Sequence, residues 1–191
     1  MVYPIVAYGS PVLKRVAEDV EVPSEETKQF IEDLFETMYA SKGVGLAAPQ
    51  VGVSSRVFVV DGSPFADDAA DPEEAEVLKT FKRAFINPII LEESGEAWGF
   101  EEGCLSIPDI HETVQRKPTI VVESQTLTGE FLEETFTGLP ARIIQHEYDH
   151  IEGVLFLDRL SPLKRRMLKG RLTDIAGGKV SASYRMVFNV K

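Results

Sequence analysis

Residues 139–156 read LPARIIQHEYDHIEGVLF, and no other segment restricts the fold as strongly. The stretch opens as a helix in which Ile143, Ile144 and Ile151 make the flanks apolar, so it has to bury against a core. That burial carries polar groups inward. His146 and His150 stand four residues apart on one helix face, where both imidazoles can point at one ion. Glu147, one residue on from the first histidine, can reach a water on that ion without being a ligand. Amphipathic helices also produce HExxH by chance, and two neutral buried histidines satisfied by hydrogen bonds are the plain alternative.

Two histidines do not complete a metal site, and the usual third ligands of zinc proteases are missing. An HExxHxxGxxH extension has Gly153 in register but Phe156 in place of the third histidine. Beyond His150 the acids are Glu152, too close in sequence, and then Asp158 and Asp174. The ligand must come from upstream, where Cys104 and His111 are the better candidates. Cys104, in WGFEEGCLSIP, offers a soft thiolate for iron or zinc, and with two histidines it leaves a fourth position open. A lone cysteine is more often a small buried hydrophobe. His111 lies among polar residues, so chemistry favours Cys104 while leaving both open.

Composition bounds the rest. A chain of 191 residues with 43% hydrophobic and 27% charged residues suits one globular domain, taken here as 1–191. One cysteine permits no internal disulfide. The first residues lack a secretory pattern, and no apolar run approaches a bilayer span, so the expected compartment is the cytoplasm, without membrane contact. A formal charge of −11 argues against broad nucleic-acid binding. SPLKRRMLKGR, 161–171, runs the other way, as a solvated basic helix face or as a local contact with RNA or another acidic surface.

Apolar periodicity and an opening Pro23–Ser24 with an acid three residues on predict a helix over 23–40. GVGLAAPQVGV, 43–53, reads as a small-residue loop with no helix after it, and VFVVD, 57–61, as a buried strand. The acidic, apolar-poor stretch within 62–84 reads as an exposed, mobile insertion. Strands are expected at 85–90 and 119–124, a turn at 128–130 into FLEETFT, a helix over 162–176, and strand character over 181–190. Without regular βαβ alternation the class is α+β. Antiparallel or mixed sheets should surround a central HEYDH helix, with an N-terminal helix and a C-terminal helix plus strand.

GVGLAAPQ (43–50), EGCLS (102–106) and QHEYDH (145–150) together resemble, in order, the three motifs of peptide deformylases of the bacterial type. The similarity extends through YPIVAYGSPVLKRVA, FETMYA and GVLFLDRLSPLKR, covering 3–166 apart from the segment near 62–84. It implies Cys104, His146 and His150 as ligands of one divalent ion: Fe(II) in the cell, with zinc, nickel or cobalt also accepted. It implies hydrolysis of the formyl group from the N-terminal methionine of nascent chains. Glu147 would move the proton, and the Gln50 side chain and the Leu105 N–H would hold the formyl oxygen. Val44, Gly45, Phe100, Gly103, Leu139 and Ile143 would line the substrate site, with the 43–50 stretch beside the peptide as an added strand. Arg142 replaces an aliphatic residue at the pocket rim, and His111 replaces an arginine near the downstream residues. The variable tail, 161–191, resembles members that finish in a strand, and 161–171 keeps a transient ribosome contact open for a monomer. Two rival readings are a metallopeptidase of another type and an inactive binding module; the intact Glu147 and Gln50 argue against the second.

Overall fold

The computed structural model of the chain describes residues 1–189. In chain order the elements are β1 (Ile5–Val6), α1 (Glu25–Ala40), β2 (Gly45–Ala47), β3 (Val57–Asp61), α2 (Pro72–Thr80), β4 (Lys82–Ser94) and β5 (Trp98–Cys104). They continue with β6 (Ile107–Arg116), β7 (Thr119–Gln125), β8 (Phe131–Thr137), α3 (Gly138–Ile151), α4 (Pro162–Ala176) and β9 (Met186–Val187). Five strands form an antiparallel sheet in the order β2-β3-β4-β7-β8, while β5 pairs with β6, and β1 with β9 in parallel. No helix of the described residues is long and apolar enough to cross a membrane.

β3 shows why the sheet is central. Its VFVV run is buried on both faces, which is what an unbroken apolar strand implies. Phe58 and Val60 pack with Ile143, Ile144 and Ile151 of α3. Val57 and Val59 pack instead with Ile31, Leu34 and Met38 of α1. The α3 helix is thus held against one sheet face as its apolar flanks require. A third cluster joins Ile107, Ile110 and Val114 of β6 to Leu168, Leu172 and Ile175 of α4.

Most predicted elements stand where expected, while the β5–β6 hairpin over 98–116 was not foreseen and several details differ. The α1 helix is capped by the Ser24 hydroxyl, which accepts from Thr27 N–H at 3.3 Å, so the third helical position is a threonine rather than an acid. The 43–53 loop holds a short strand, β2, followed by a single 3-10 turn at Ala48–Val51. The C-terminal strand shrinks from 181–190 to Met186–Val187, with position 190 outside the described residues.

The 62–84 segment departs furthest from expectation, because it is folded and packed. A 3-10 turn at Ser63–Asp68 leads into α2, where Leu78 is fully buried. Phe65 and Phe81 also reach the α3 core. A few well-placed apolar groups suffice where the mean composition suggested none. Glu74 of α2 then does something local patterns do not announce. Thr137, the residue before α3, offers no side-chain cap, and Glu74 Oε1 accepts the Leu139 N–H at 2.7 Å instead. Its other oxygen takes Ala70 N–H at 2.7 Å. Gly138 has φ +60°, and its missing Cβ leaves the space that the Glu74 carboxylate occupies.

Losing this cap has a measurable cost. Glu74→Ala is expected to destabilise the protein by about 1 kcal/mol. Thermal unfolding should show it as a Tm lower by roughly 2–4 °C. An unchanged Tm would mean that α3 is capped in some other way.

Candidate metal centre

α3 presents His146 and His150 from one face, and the β5–β6 hairpin brings Cys104 over them. The hairpin ladder breaks between Glu102 and Cys104, and such irregularities re-aim a side chain. Cys104 Sγ lies 3.3 Å from His150 Nε2, and the ligand atoms of Cys104, His146 and His150 all fall within 4.8 Å of one another. Donors around one tetrahedral ion sit about 3.5 Å apart, so the spacing fits a metal with little movement. A thiolate with two imidazoles suits iron, zinc, cobalt or nickel. His111 does not join the cluster; its exposed ring lies beside Gly103, at the cleft wall. Phe156, in the place of a protease's third histidine, stacks on His146 with centroids 6.2 Å apart.

Beneath the ligands lies a buried ionic network. His146 Nδ1 is 2.9 Å from Glu102 Oε2, which fixes the ring and leaves Nε2 for an ion. Arg116 grips the same carboxylate with two bonds, Nε to Oε1 at 2.7 Å and Nη2 to Oε2 at 2.9 Å. Its remaining nitrogen donates to Asp149 at 2.8 Å, and Arg159 holds Asp149 from the far side with two bonds of 2.6 Å. Burial alone would raise the Glu102 carboxyl, but its hydrogen bonds from Arg116 and His146 outweigh that and hold it far below the usual range. Burial likewise opposes charge on His146, yet contact with Cys104 and Glu102 raises its proton affinity well above normal. His150 differs, since burial together with the nearby His146 and Arg116 lowers its proton affinity well below normal, so its ring favours the neutral form in which an imidazole can serve as a ligand.

Arg142 lines the cleft with part of its side chain, but its charged end turns into the interior. Its guanidinium is buried, bonded to Glu102 Oε1 at 3.0 Å, Val114 O at 2.9 Å and Trp98 O at 2.7 Å, and stacked 4.4 Å from the Trp98 ring centroid. The long side chain therefore serves the carboxylate network, with only part of it reaching the cleft wall.

The cleft, of about 820 Å³, is lined by Val44, Gly45, Gln50, Phe100, Gly103, Leu105, Ile143 and Glu147. Leu139 is the exception among the expected lining residues, since it is buried in the α3 core. Phe65, from the 62–84 segment, lines the cleft as well and meets Phe100 edge-on at 5.8 Å. Gln50 is oriented by its own loop: Oε1 accepts the Ala47 N–H at 2.9 Å, which turns the amide nitrogen towards Cys104 Sγ, 3.4 Å away. Glu147 is 4% exposed, and its Oε2 has no protein hydrogen-bond partner. Burial pushes its carboxyl up to about 7, a value suited to taking and returning a proton. Gly45 makes room for it, because a Cβ there would sit 2.7 Å from Glu147 Cγ and Cδ.

Sequence reasoning missed Glu102, Arg116, Asp149 and Arg159. The alternation in β6 carried a signal, since Arg116 falls in phase with the buried Ile110 and Val114. An arginine at an inward position demands a buried carboxylate. Which carboxylate answers it depends on the tertiary packing.

Residues 2–166 match the polypeptide deformylase family. The peptide deformylase of Christiangramia forsetii is 50% identical over 189 residues, covering 98% of this chain and 96% of that one. That of Cytophaga hutchinsonii is 50% identical over 191 residues, covering both chains in full. Among solved structures, peptide deformylase from Thermotoga maritima superposes with a TM-score of 0.74 at 43% identity, covering 85% of this chain and 99% of that one. The Met-Ala-Ser-bound enzyme of Acinetobacter baumannii gives 0.74 at 38% identity, over 84% and 99%. With a Cys/His/His ligand cluster, a buried glutamate beside it and identity of this extent, the chain belongs to the peptide deformylase family, metal-dependent hydrolases that remove the formyl group from the N-terminal methionine of newly synthesised proteins.

Proposed function

We propose that Cys104, His146 and His150 hold one divalent ion and that Glu147, Gln50 and the Leu105 N–H carry out deformylation around it. The observation that carries this reading is the buried, unpartnered Glu147 oxygen beside three converging ligand atoms. When bound, the ion supplies Lewis acidity and lowers the pKa of a coordinated water towards about 7.

The chain's own groups do the rest. A nascent peptide lies along the free edge of β2, the outermost strand of its sheet, and takes backbone hydrogen bonds there. Val44, Phe100, Ile143 and Phe65 surround its methionine side chain with apolar surface. The water oxygen bonds to the formyl carbon while Glu147 accepts the proton released. Gln50 Nε2 and the Leu105 N–H donate to the formyl oxygen as it gains charge. The C–N bond then breaks, and Glu147 delivers its proton to the departing amine, which leaves formate and a free N-terminus.

The thiolate–imidazole set supports Fe(II) as the cellular ion, with zinc, nickel or cobalt accepted by the same donors. The single free thiol, Cys104, fits a reducing cytoplasm, and the protein acts there as a single-domain monomer. On α4, Leu163 and Met167 are strongly exposed beside Arg166 and Lys169, which supports a transient ribosome contact through 161–171.

Formate release from formyl-Met-Ala-Ser, with protein loaded with Fe(II) or Co(II) under anaerobic conditions, tests the reading. Rapid release that is absent from the acetyl-Met analogue is the expected result. Silence from fully loaded protein would leave an inactive binding module, and casein cleavage would indicate another kind of metallopeptidase. Glu147→Ala should retain the metal and lose nearly all turnover; full activity would refute the proton-transfer role. Gly45→Ala should also keep the metal while displacing the Glu147 carboxylate, with a loss on the order of 100-fold in kcat. Glu102→Gln is expected to weaken metal affinity by about 10- to 100-fold in a chelator competition.

A further inference from the structure

The turn that carries Leu105 is not one its hairpin favours. Cys104 pairs with Ile107, so Leu105 and Ser106 form a two-residue connection between β5 and β6. Connections of this length prefer turns with positive φ, whose twist matches the strands. Among the described non-glycine residues positive φ occurs at Lys42, Asn87 and Asp109, and neither turn residue is one of them. The connection follows directly on the break in the ladder between Glu102 and Cys104, and contacts from outside the hairpin meet it.

Three such contacts hold it. Tyr8 N–H donates to the Ser106 carbonyl at 2.8 Å. Gln50 Nε2 lies 3.4 Å from the Ser106 hydroxyl. The Tyr184 hydroxyl donates to the Leu105 carbonyl at 2.8 Å. That carbonyl belongs to the central peptide of the turn, whose rotation distinguishes one turn type from another. Fixing it also fixes where the Ser106 hydroxyl stands relative to Gln50.

Tyr184 comes from the tail, beyond residues 2–166 that match the family. Ser181–Tyr184 form one wall of the cleft. Just beyond Arg185, Met186 and Val187 pair with Ile5 and Val6 of β1, the strand that leads to Tyr8. Both ends of the described chain are thus joined to each other and to the two carbonyls of one turn. Burial pushes the Tyr184 hydroxyl up to about 12, with nearby Cys104 and Asp109 charge adding to it, so it remains a donor at neutral pH.

We propose that Tyr184 is a positioning residue for deformylation, locking the Leu105–Ser106 peptide so that the Ser106 hydroxyl keeps the Gln50 amide aimed at the formyl oxygen. This rests on the assignment of Gln50 as a donor above. Tyr184→Phe deletes one hydroxyl and keeps the ring. For formyl-Met-Ala-Ser, kcat should fall about tenfold, less than loss of a direct donor, with KM within about twofold and metal content and Tm unchanged. In a Gln50→Ala background the same change should cost less than about twofold, because the donor it positions is gone. An unchanged kcat would overturn the proposal. So would an equal loss in both backgrounds accompanied by a lower Tm, which would make the hydroxyl merely structural. Wild-type protein that releases no formate would instead remove the underlying deformylase reading, and the proposal with it.

Discussion

The Glu102 carboxylate is where α3 and both strands of the β5–β6 hairpin meet. It is 6% exposed and receives Arg116 from β6, Arg142 from α3 and His146, itself a candidate ligand. A carboxylate taken this far from water is costly unless its partners are complete, and removing one leaves the others as uncompensated buried charge. The ligand geometry inherits that constraint. His146 cannot turn without releasing Glu102, and Glu102 cannot shift without disturbing two arginines. Asp149 extends the same logic to Arg159, in the turn after α3, so the helix is held by charge on one side and by sheet packing on the other.

Around this centre, segments outside the motif set complete the site. The 62–84 segment supplies Phe65 to the cleft and Glu74 to the start of α3. The tail supplies the wall at Ser181–Tyr184 and a hydroxyl to the Leu105 turn. Each acts through contacts between residues far apart in the chain, such as Glu74 with Leu139 and Tyr184 with Leu105, which is why neither is visible as a motif. Small residues have the opposite role, giving space rather than contact. Gly45 lets the Glu147 carboxylate pass over β2, and Gly138 admits Glu74 to the helix start.

The sequence by itself determined the three long helices, most strands of the main sheet and the type of ligand chemistry. Apolar periodicity located α1 and apolar flanks marked α3, because a helix of this length must bury its stripe. The i, i+4 histidines and the missing protease ligands directed the search upstream, and ligand chemistry preferred Cys104. Tertiary structure decided what local patterns cannot encode. Mean composition made 62–84 look mobile, yet burial depends on where a few apolar groups land, and Leu78 lands in the core. The interior role of the Arg142 guanidinium was hidden because its partners, Glu102, Val114 and Trp98, belong to strands distant in the chain. Buried charge can be read as a demand from sequence, but the group that meets it is chosen only when distant strands pack together.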